Sequence, residues 1–302
     1  MNLGKKTIAI ISFCLLTNLA IPTQSKANAL VDLATDHKIA TGLISGTSLV
    51  IGTGLYKLVT FAIKQTMNIA LEDAAIKGDI EEIKRLLKSR WIDVNNTEDD
   101  NNYTPLHKAA FGGNIDVVKL LIDSGANIHA ETYDGKTPLW EAVLNNNYEI
   151  ANYLIEKGAD VNAQGNPEGR HFDMFELNSL STPLHIASIN GYLDIAQLLI
   201  KNGATINIKN RYGNTPLHYA AQNGKFDIAK LLIGNSADIN ALNNKKKTPL
   251  DMASDGASNF ENFYKDSDFK RKDQLILKGL NNYKDVSDFL VKNGAISNIK
   301  VD

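Results

Sequence analysis

Apolar residues fall along this chain in three patterns, and each predicts a different element. Thr7 to Ile21 is an uncharged apolar run, preceded by Lys5 and Lys6 and followed by Pro22-Thr23-Gln24-Ser25-Lys26 and the small-x-small stretch Ala27-Asn28-Ala29. That succession is the basic, apolar and cleavage regions of a secretory signal peptide over residues 1–29. A membrane span needs about 20 residues, so an uncut anchor is the less favoured reading. Ile39 to Ile63 is a second stretch, with Lys57 as its one charge. It is long enough to cross a bilayer, and the Gly42/Gly46 spacing would let two such helices pack closely. Its glycines, serines and threonines dilute it, and a helix packed on the following domain fits equally, so residues 30–67 are an apolar helical segment and a candidate membrane span. After residue 67 the pattern becomes one of short paired helices. Ile115, Val118, Leu121 and Ile122, and again Ile195, Leu198 and Leu199, recur at helical spacing.

The tripeptide Thr-Pro-Leu begins at residues 104, 137, 182, 215 and 248, with separations of 33, 45, 33 and 33. A fixed period of this length marks stacked supersecondary units, and the 45 is one period carrying an insertion. The Thr caps a first helix and the Pro sits in its first turn, where a missing N–H costs nothing. Gly113, Gly191 and Gly224, with Asn146 at the equivalent place, supply the positive φ that turns the chain into a second helix. Gly125, Gly158 and Gly203 close that helix, and Ser236 at the same position predicts a weaker cap. The runs Thr104-Pro105-Leu106-His107-Lys108-Ala109-Ala110, Thr182-Pro183-Leu184-His185-Ile186-Ala187-Ser188 and Thr215-Pro216-Leu217-His218-Tyr219-Ala220-Ala221, with endings such as Gly158-Ala159-Asp160-Val161-Asn162, resemble the ankyrin repeat.

The resemblance implies an all-α fold, a solenoid of helix-turn-helix units with β-hairpin loops, here preceded by N-terminal apolar helices. The repeat domain is expected over 68–302, with a capping unit at 68–100 and repeats near 102–131, 135–164, 180–209, 213–242 and 246–298. The capping unit has the helices without the Thr-Pro-Leu and a charged outer face. The last repeat has its second helix delayed by 25 residues, which places an insert at 257–281. That insert carries Phe260, Phe263, Tyr264 and Phe269, and a first insert near Gln164–Ser181 carries Phe172 and Phe175. Loops of this length are usually functional or disordered, and aromatic content argues against disorder.

Lys plus Arg total 32 and Asp plus Glu 34, so the formal charge of −2 excludes a strongly basic nucleic-acid binder. Removal of residues 1–29 takes three cations and no anion, leaving 29 against 34 and a charge of −5. The one cysteine, Cys14, can form neither an intramolecular disulfide nor a zinc cluster. The 33 asparagines read as AT-rich coding bias rather than as chemistry.

His107, His185 and His218 recur at one repeat position. A stack spaces such residues about 10 Å apart, whereas zinc ligands each lie about 2 Å from one ion. They read instead as bonded to the Thr three residues earlier, tying adjacent loops together. No nucleophile stands at a meaningful spacing from a base, so no catalytic residue, cofactor or metal is assigned.

In ankyrin-like stacks, partners contact the hairpin tips and the exposed positions of the first helix. Carried onto this sequence, the tips are Asn102, Tyr103, Tyr133, Asp134, Arg211 and Tyr212, and the groove positions are Lys108, Phe111, Glu141, Leu144, Ile186, Ile189, Tyr219 and Gln222. Phe111, Leu144, Ile189 and Tyr219 are apolar where the fold does not require it, which suggests a protein-binding surface. The expected function is therefore a monomeric protein-protein interaction module, exported or membrane-tethered. Its signal and its Asn-, Lys- and Ile-rich composition resemble those of ankyrin proteins of bacteria living inside host cells, which implies a host or envelope partner. Two other functions compete: a membrane-organising protein acting through residues 39–63, and an enzyme with its site in the 257–281 insert.

Overall fold

The computed structural model describes residues 53–97, 101–165, 180–265 and 273–298. The signal peptide, most of the 39–63 stretch and most of the first insert lie outside the described residues. Twelve helices occur among the described residues, grouped in two compact units, one up to Asn127 and one from Ile128.

In the first unit, α1 (Thr53–Lys77) and α3 (Pro105–Gly112) form an inner layer, and α2 (Ile80–Leu87) and α4 (Ile115–Asp123) an outer one. Of the two readings of residues 30–67, the described part from Thr53 fits the helix packed on the following domain: α1 runs unbroken across residue 67 into the capping unit. Met67, Asn68, Leu71, Ala74 and Ala75 are buried on its inner side, which recur at helical spacing and leave no reason for a break. No helix among the described residues is long and apolar enough to cross a membrane. Asp79 caps α2 by accepting from the Glu82 N–H at 3.0 Å, and Glu82 holds Arg85 through two bonds of 2.8 and 2.7 Å.

The second unit repeats the plan. Helices α5 (Pro138–Leu144), α7 (Pro183–Asn190), α9 (Pro216–Gln222) and α11 (Pro249–Lys265) pack in succession as the inner layer. Helices α6 (Tyr148–Glu156), α8 (Leu193–Lys201), α10 (Phe226–Gly234) and α12 (Asp273–Lys292) form the outer layer. The Thr-Pro-Leu leucines Leu139, Leu184 and Leu217 are fully buried, as are the small pairs Ala142/Val143, Ala187/Ser188 and Ala220/Ala221 that let the two helices of a repeat approach. Ile150, Leu154, Ile195, Leu199, Ile228 and Leu232 seal the outer layer from within. Each repeat thus covers an apolar flank that its neighbour cannot cover alone.

Two expectations are corrected. The described residues contain no strand, so the hairpin loops are tight turns rather than β-ladders; a single antiparallel bridge joins Gly165 and Ser181. The turns close through short local bonds, such as Gly213 N–H to the Asn210 carbonyl at 2.9 Å, and are too short for ladder pairing. Nor are the described parts of the 257–281 insert a loop. They lengthen both helices of the last repeat, with α11 continuing to Lys265 and α12 starting at Asp273. Gly279 makes this possible, because the Phe260 ring occupies the space a Cβ would take. Phe260 also meets Tyr283 with ring centroids 5.8 Å apart.

Gly125, Gly158, Gly203 and Gly294 have φ between 89° and 95°, and Ser236 at the same position is held at 67°. An L-residue there pays about 1 kcal/mol or more that glycine does not. Open space surrounds the equivalent glycines, so the strain is in the backbone alone. Ser236→Gly is expected to raise the unfolding free energy of the second unit by about 1 kcal/mol, read as a higher denaturant midpoint at unchanged slope. No change in midpoint would show the strain to be absorbed elsewhere.

Candidate partner-binding surface

The position three residues after each repeat threonine holds the turns in place. Thr104, Thr182 and Thr215 donate their backbone N–H to Nδ1 of His107, His185 and His218 at 3.2, 3.2 and 3.1 Å, and their hydroxyls lie 2.8–2.9 Å from the same nitrogens. With Nδ1 accepting, the hydrogen-bond network assigns the proton to Nε2. In the second unit the His185 Nε2–H donates to the Asn214 carbonyl at 3.0 Å and His218 to the Lys247 carbonyl at 3.1 Å, each in the turn of the next repeat. Burial holds both rings down from the ordinary 6.5 to about 4, against the opposing pull of these carbonyls.

Trp140 occupies the same position in its repeat, and its indole N–H reaches the Ser181 carbonyl at 3.3 Å. Asp251 occupies it in the last repeat and reverses the polarity. It accepts from the Thr248 N–H at 2.9 Å, the Ser297 hydroxyl at 2.6 Å and the Asn298 N–H at 3.2 Å. Burial pushes this carboxyl up, but the Ser297, Thr248 and Asn298 bonds outweigh it and leave it below the usual carboxylate range. Among the described residues, no group of three His, Cys, Asp or Glu could hold a metal ion.

Asparagine, read from composition as coding bias, has a structural role here. Asn162 donates to the Gly203 carbonyl at 3.1 Å and accepts from the Thr205 N–H at 2.8 Å. Asn207 makes the same two-point clamp on Ser236 and Asp238, and Asn240 on Gly294 and Ile296. Asn95 does so within the first unit, on Gly125 and Asn127. Asn145, Asn190, Asn202 and Asn223 instead cap helix C-termini by donating to the carbonyl four residues earlier. Recurrence of Asn four residues after Gly158, Gly203 and Ser236 was the available signal. Asn207→Ala is expected to cost about 1–2 kcal/mol and to loosen the repeats around it. Faster amide hydrogen exchange at Asp238 without change at Trp140 checks this.

The predicted contact residues separate by exposure. In the first unit, Tyr103 is half-buried with its ring edge on His107 at 5.5 Å, and Lys108 Nζ stands 4.4 Å over the Tyr103 ring. Phe111 is 47% exposed. In the second unit, Tyr133 is 74% exposed, Leu144 and Tyr212 are each 36% exposed, and Arg211 is exposed. Asp134, Ile189 and Gln222 are half-buried.

Glu141, Ile186 and Tyr219 are buried, so their expected exposure in a groove is corrected. The Tyr219 hydroxyl accepts from Asn210 at 2.7 Å, and its ring edge meets His185 at 5.8 Å. The position four after Thr therefore sits over its own turn, which is why an apolar residue is accommodated there. The sequence reading missed the lysines of the last turns, Lys209, Lys245, Lys246 and Lys247, whose clustering appears only when adjacent turns are side by side.

Comparison with known proteins agrees with this architecture. A family model described as ankyrin repeats in three copies matches residues 71–165 and 184–273, and one described as ankyrin repeats in many copies matches 139–200. Ankyrin repeat domain-containing protein 49 of Bos taurus is 49% identical over 59 residues, 20% of this chain and 24% of that protein. Alpha-latrocrustotoxin-Lt1a of Latrodectus tredecimguttatus is 45% identical over 58 residues, 19% of this chain and 4% of the toxin. The 2-5A-dependent ribonuclease of Mus musculus is 38% identical over 66 residues, 22% of this chain and 9% of the enzyme. The chain thus spans a quarter or less of the length of these relatives. With the period, the caps, the paired layers and family-model matches over more than half its length in agreement, the chain belongs to the ankyrin-repeat family.

Proposed function

We propose that this chain binds a partner protein through its hairpin turns and the exposed ends of its inner helices, as a monomer whose surface is formed before the partner arrives. Ankyrin repeats indicate a protein-protein interaction module. Each unit supports this location by itself: Phe111 is exposed in the first, and Tyr133, Leu144 and Tyr212 are exposed in the second. Aromatic residues at turns supply contact area at low entropic cost, and turns locked by Asn and His bonds need little further ordering. Residues 1–29 would export the module, or residues 39–63 would tether it to a membrane, and the partner would be an envelope or host protein.

A photo-crosslinking residue placed at Tyr133 or Tyr212 should give a discrete adduct in the producing cells or their host, and the same residue at exposed Gln197 on α8 should not. Equal adducts from all three positions, or none from the turns, would remove the reading. N-terminal sequencing of the mature protein and carbonate extraction of membranes test export and tethering separately.

A further inference from the structure

The last two turns of the second unit carry five cations, Lys209 and Arg211 in one and Lys245, Lys246 and Lys247 in the next. Neither turn, residues 208–215 or 241–248, contains an Asp or Glu. The turns are locked side by side. The Asn244 N–H donates to the Tyr212 carbonyl at 2.9 Å, and its side chain to the Arg211 carbonyl at 2.8 Å. Asn243 donates to the Asn214 side chain at 2.7 Å, and Lys209 Nζ to the Leu242 carbonyl at 2.8 Å. Lys247 pairs with Asp255, and the side chains of Lys209, Arg211, Lys245 and Lys246 are exposed.

Lys246 is held at φ 58°, in the turn position where the other repeats have Asn102, Gly135, Leu180 and Gly213, all at positive φ. A lysine in the left-handed region carries a backbone cost that glycine would avoid, and such outliers concentrate where a side chain is needed. The turn tolerates this strain and adds a positive charge to the turn next to that of Arg211.

Resting on the reading of the chain as a recognition module, we infer that these two turns form a cationic edge that docks an acidic peptide segment of the partner. Carboxylates of an extended Asp/Glu-rich segment meet Arg211, Lys245 and Lys246, and the partly exposed Tyr212 ring offers an apolar contact between them. Charge of one sign on a preformed edge raises the encounter rate and selects partners by sign. A nucleic acid is the poorer match, because two short turns give no long phosphate track and the chain as a whole has a formal charge of −2.

The test is fluorescence anisotropy of a fluorescein-labelled dodecaglutamate peptide titrated with the full chain, alongside a dodecaglutamine peptide and a labelled single-stranded oligothymidine. The glutamate peptide is expected to bind, to weaken as salt is raised, and to outbind both controls. Combined Arg211→Gln, Lys245→Gln and Lys246→Gln should weaken it about tenfold at an unchanged melting profile. Lys246→Gly alone should weaken binding less while raising thermal stability, which separates loss of charge from loss of fold. Absence of glutamate-peptide binding, full binding by the triple variant, or tighter binding of the oligothymidine would overturn the inference. If the peptide fails while crosslinks from Tyr133 and Tyr212 persist, the acidic-peptide inference falls and the interaction-module reading stands. Peptide binding without crosslinks leaves the cationic edge standing and removes the wider turn surface as the partner's contact.

Discussion

Acidification from neutral pH to about 4 is expected to destabilise the second unit by several kcal/mol through two buried imidazoles. His185 and His218 have ordinary values of 6.5 in the unfolded chain and values held by burial near 4 in the folded one. Between those two limits the unfolded state binds more protons, so stability falls as pH falls. Their contribution is complete above 6.5, declines through the window, and stops declining below about 4. Each ring contributes at most about 3 kcal/mol to the loss, since a tenfold change in a proton-binding constant corresponds to about 1.4 kcal/mol.

The groups around the rings modulate the window: His218 disfavours a charged His185, Lys209 disfavours a charged His218, and Asp238 favours it. Asp251 acts in a lower window. Its carboxyl is held below the ordinary 3.8, so its stabilisation is present above that value and is lost only below it. Urea unfolding at pH values spanning the two windows should show two separate declines. A chain with His185→Gln and His218→Gln should be less stable at neutral pH but should lose the upper decline. Parallel pH dependence in the two proteins would mean that the rings do not stay neutral in the fold.

The second large effect is expected at Trp140. It is 1% exposed and among the largest fully buried side chains, and its indole N–H takes the part that imidazole Nε2–H plays in other repeats. Trp140→Ala removes both the packed volume and the donor, and should cost about 3–5 kcal/mol. Trp140→Phe keeps most of the packing and leaves the buried Ser181 carbonyl without this donor, for about 1–3 kcal/mol. Trp140→His restores the donor found at the equivalent position of three other repeats while giving up volume. The Ala variant should be the least stable of the three. Denaturant midpoints at constant slope provide the comparison. A loss below about 1 kcal/mol for Trp140→Ala would show that the repeat does not depend on this position.

The repeat itself is legible in the sequence because its signals are local. Thr at a helix start, Pro in the next position and a positive-φ residue at each bend act within a few residues of sequence. Asn146 adopts φ 56° where the glycines of other repeats stand, as its residue type suggests. The histidine bonds are legible for a related reason. Recurrence at the repeat period excludes a shared metal and leaves a donor facing the next turn.

Exposure is less legible. Phe111 and Leu144 are exposed, but Ile186 and Tyr219 are buried, although all four lie in the first helices of repeats. A helical period says which residues share a face, not whether a turn folds over that face. Composition misreads the asparagines for the same reason: it counts them, but a clamp depends on a carbonyl and an N–H between 29 and 56 residues away. The 257–281 insert escapes sequence reasoning because a break in the repeat period gives the length of an insertion and not its conformation. In the fold its described parts extend both helices, with the Phe260 ring against Gly279.

By itself, therefore, the sequence determined the family, the period, the helix caps and the points where the chain must reverse, since each depends on backbone preferences within one turn of helix. The tertiary structure decided which inner-helix residues remain exposed, which asparagines clamp neighbouring repeats, and which lysines gather on one edge. Those properties arise from the juxtaposition of units about 33 residues apart, and no local preference encodes that distance.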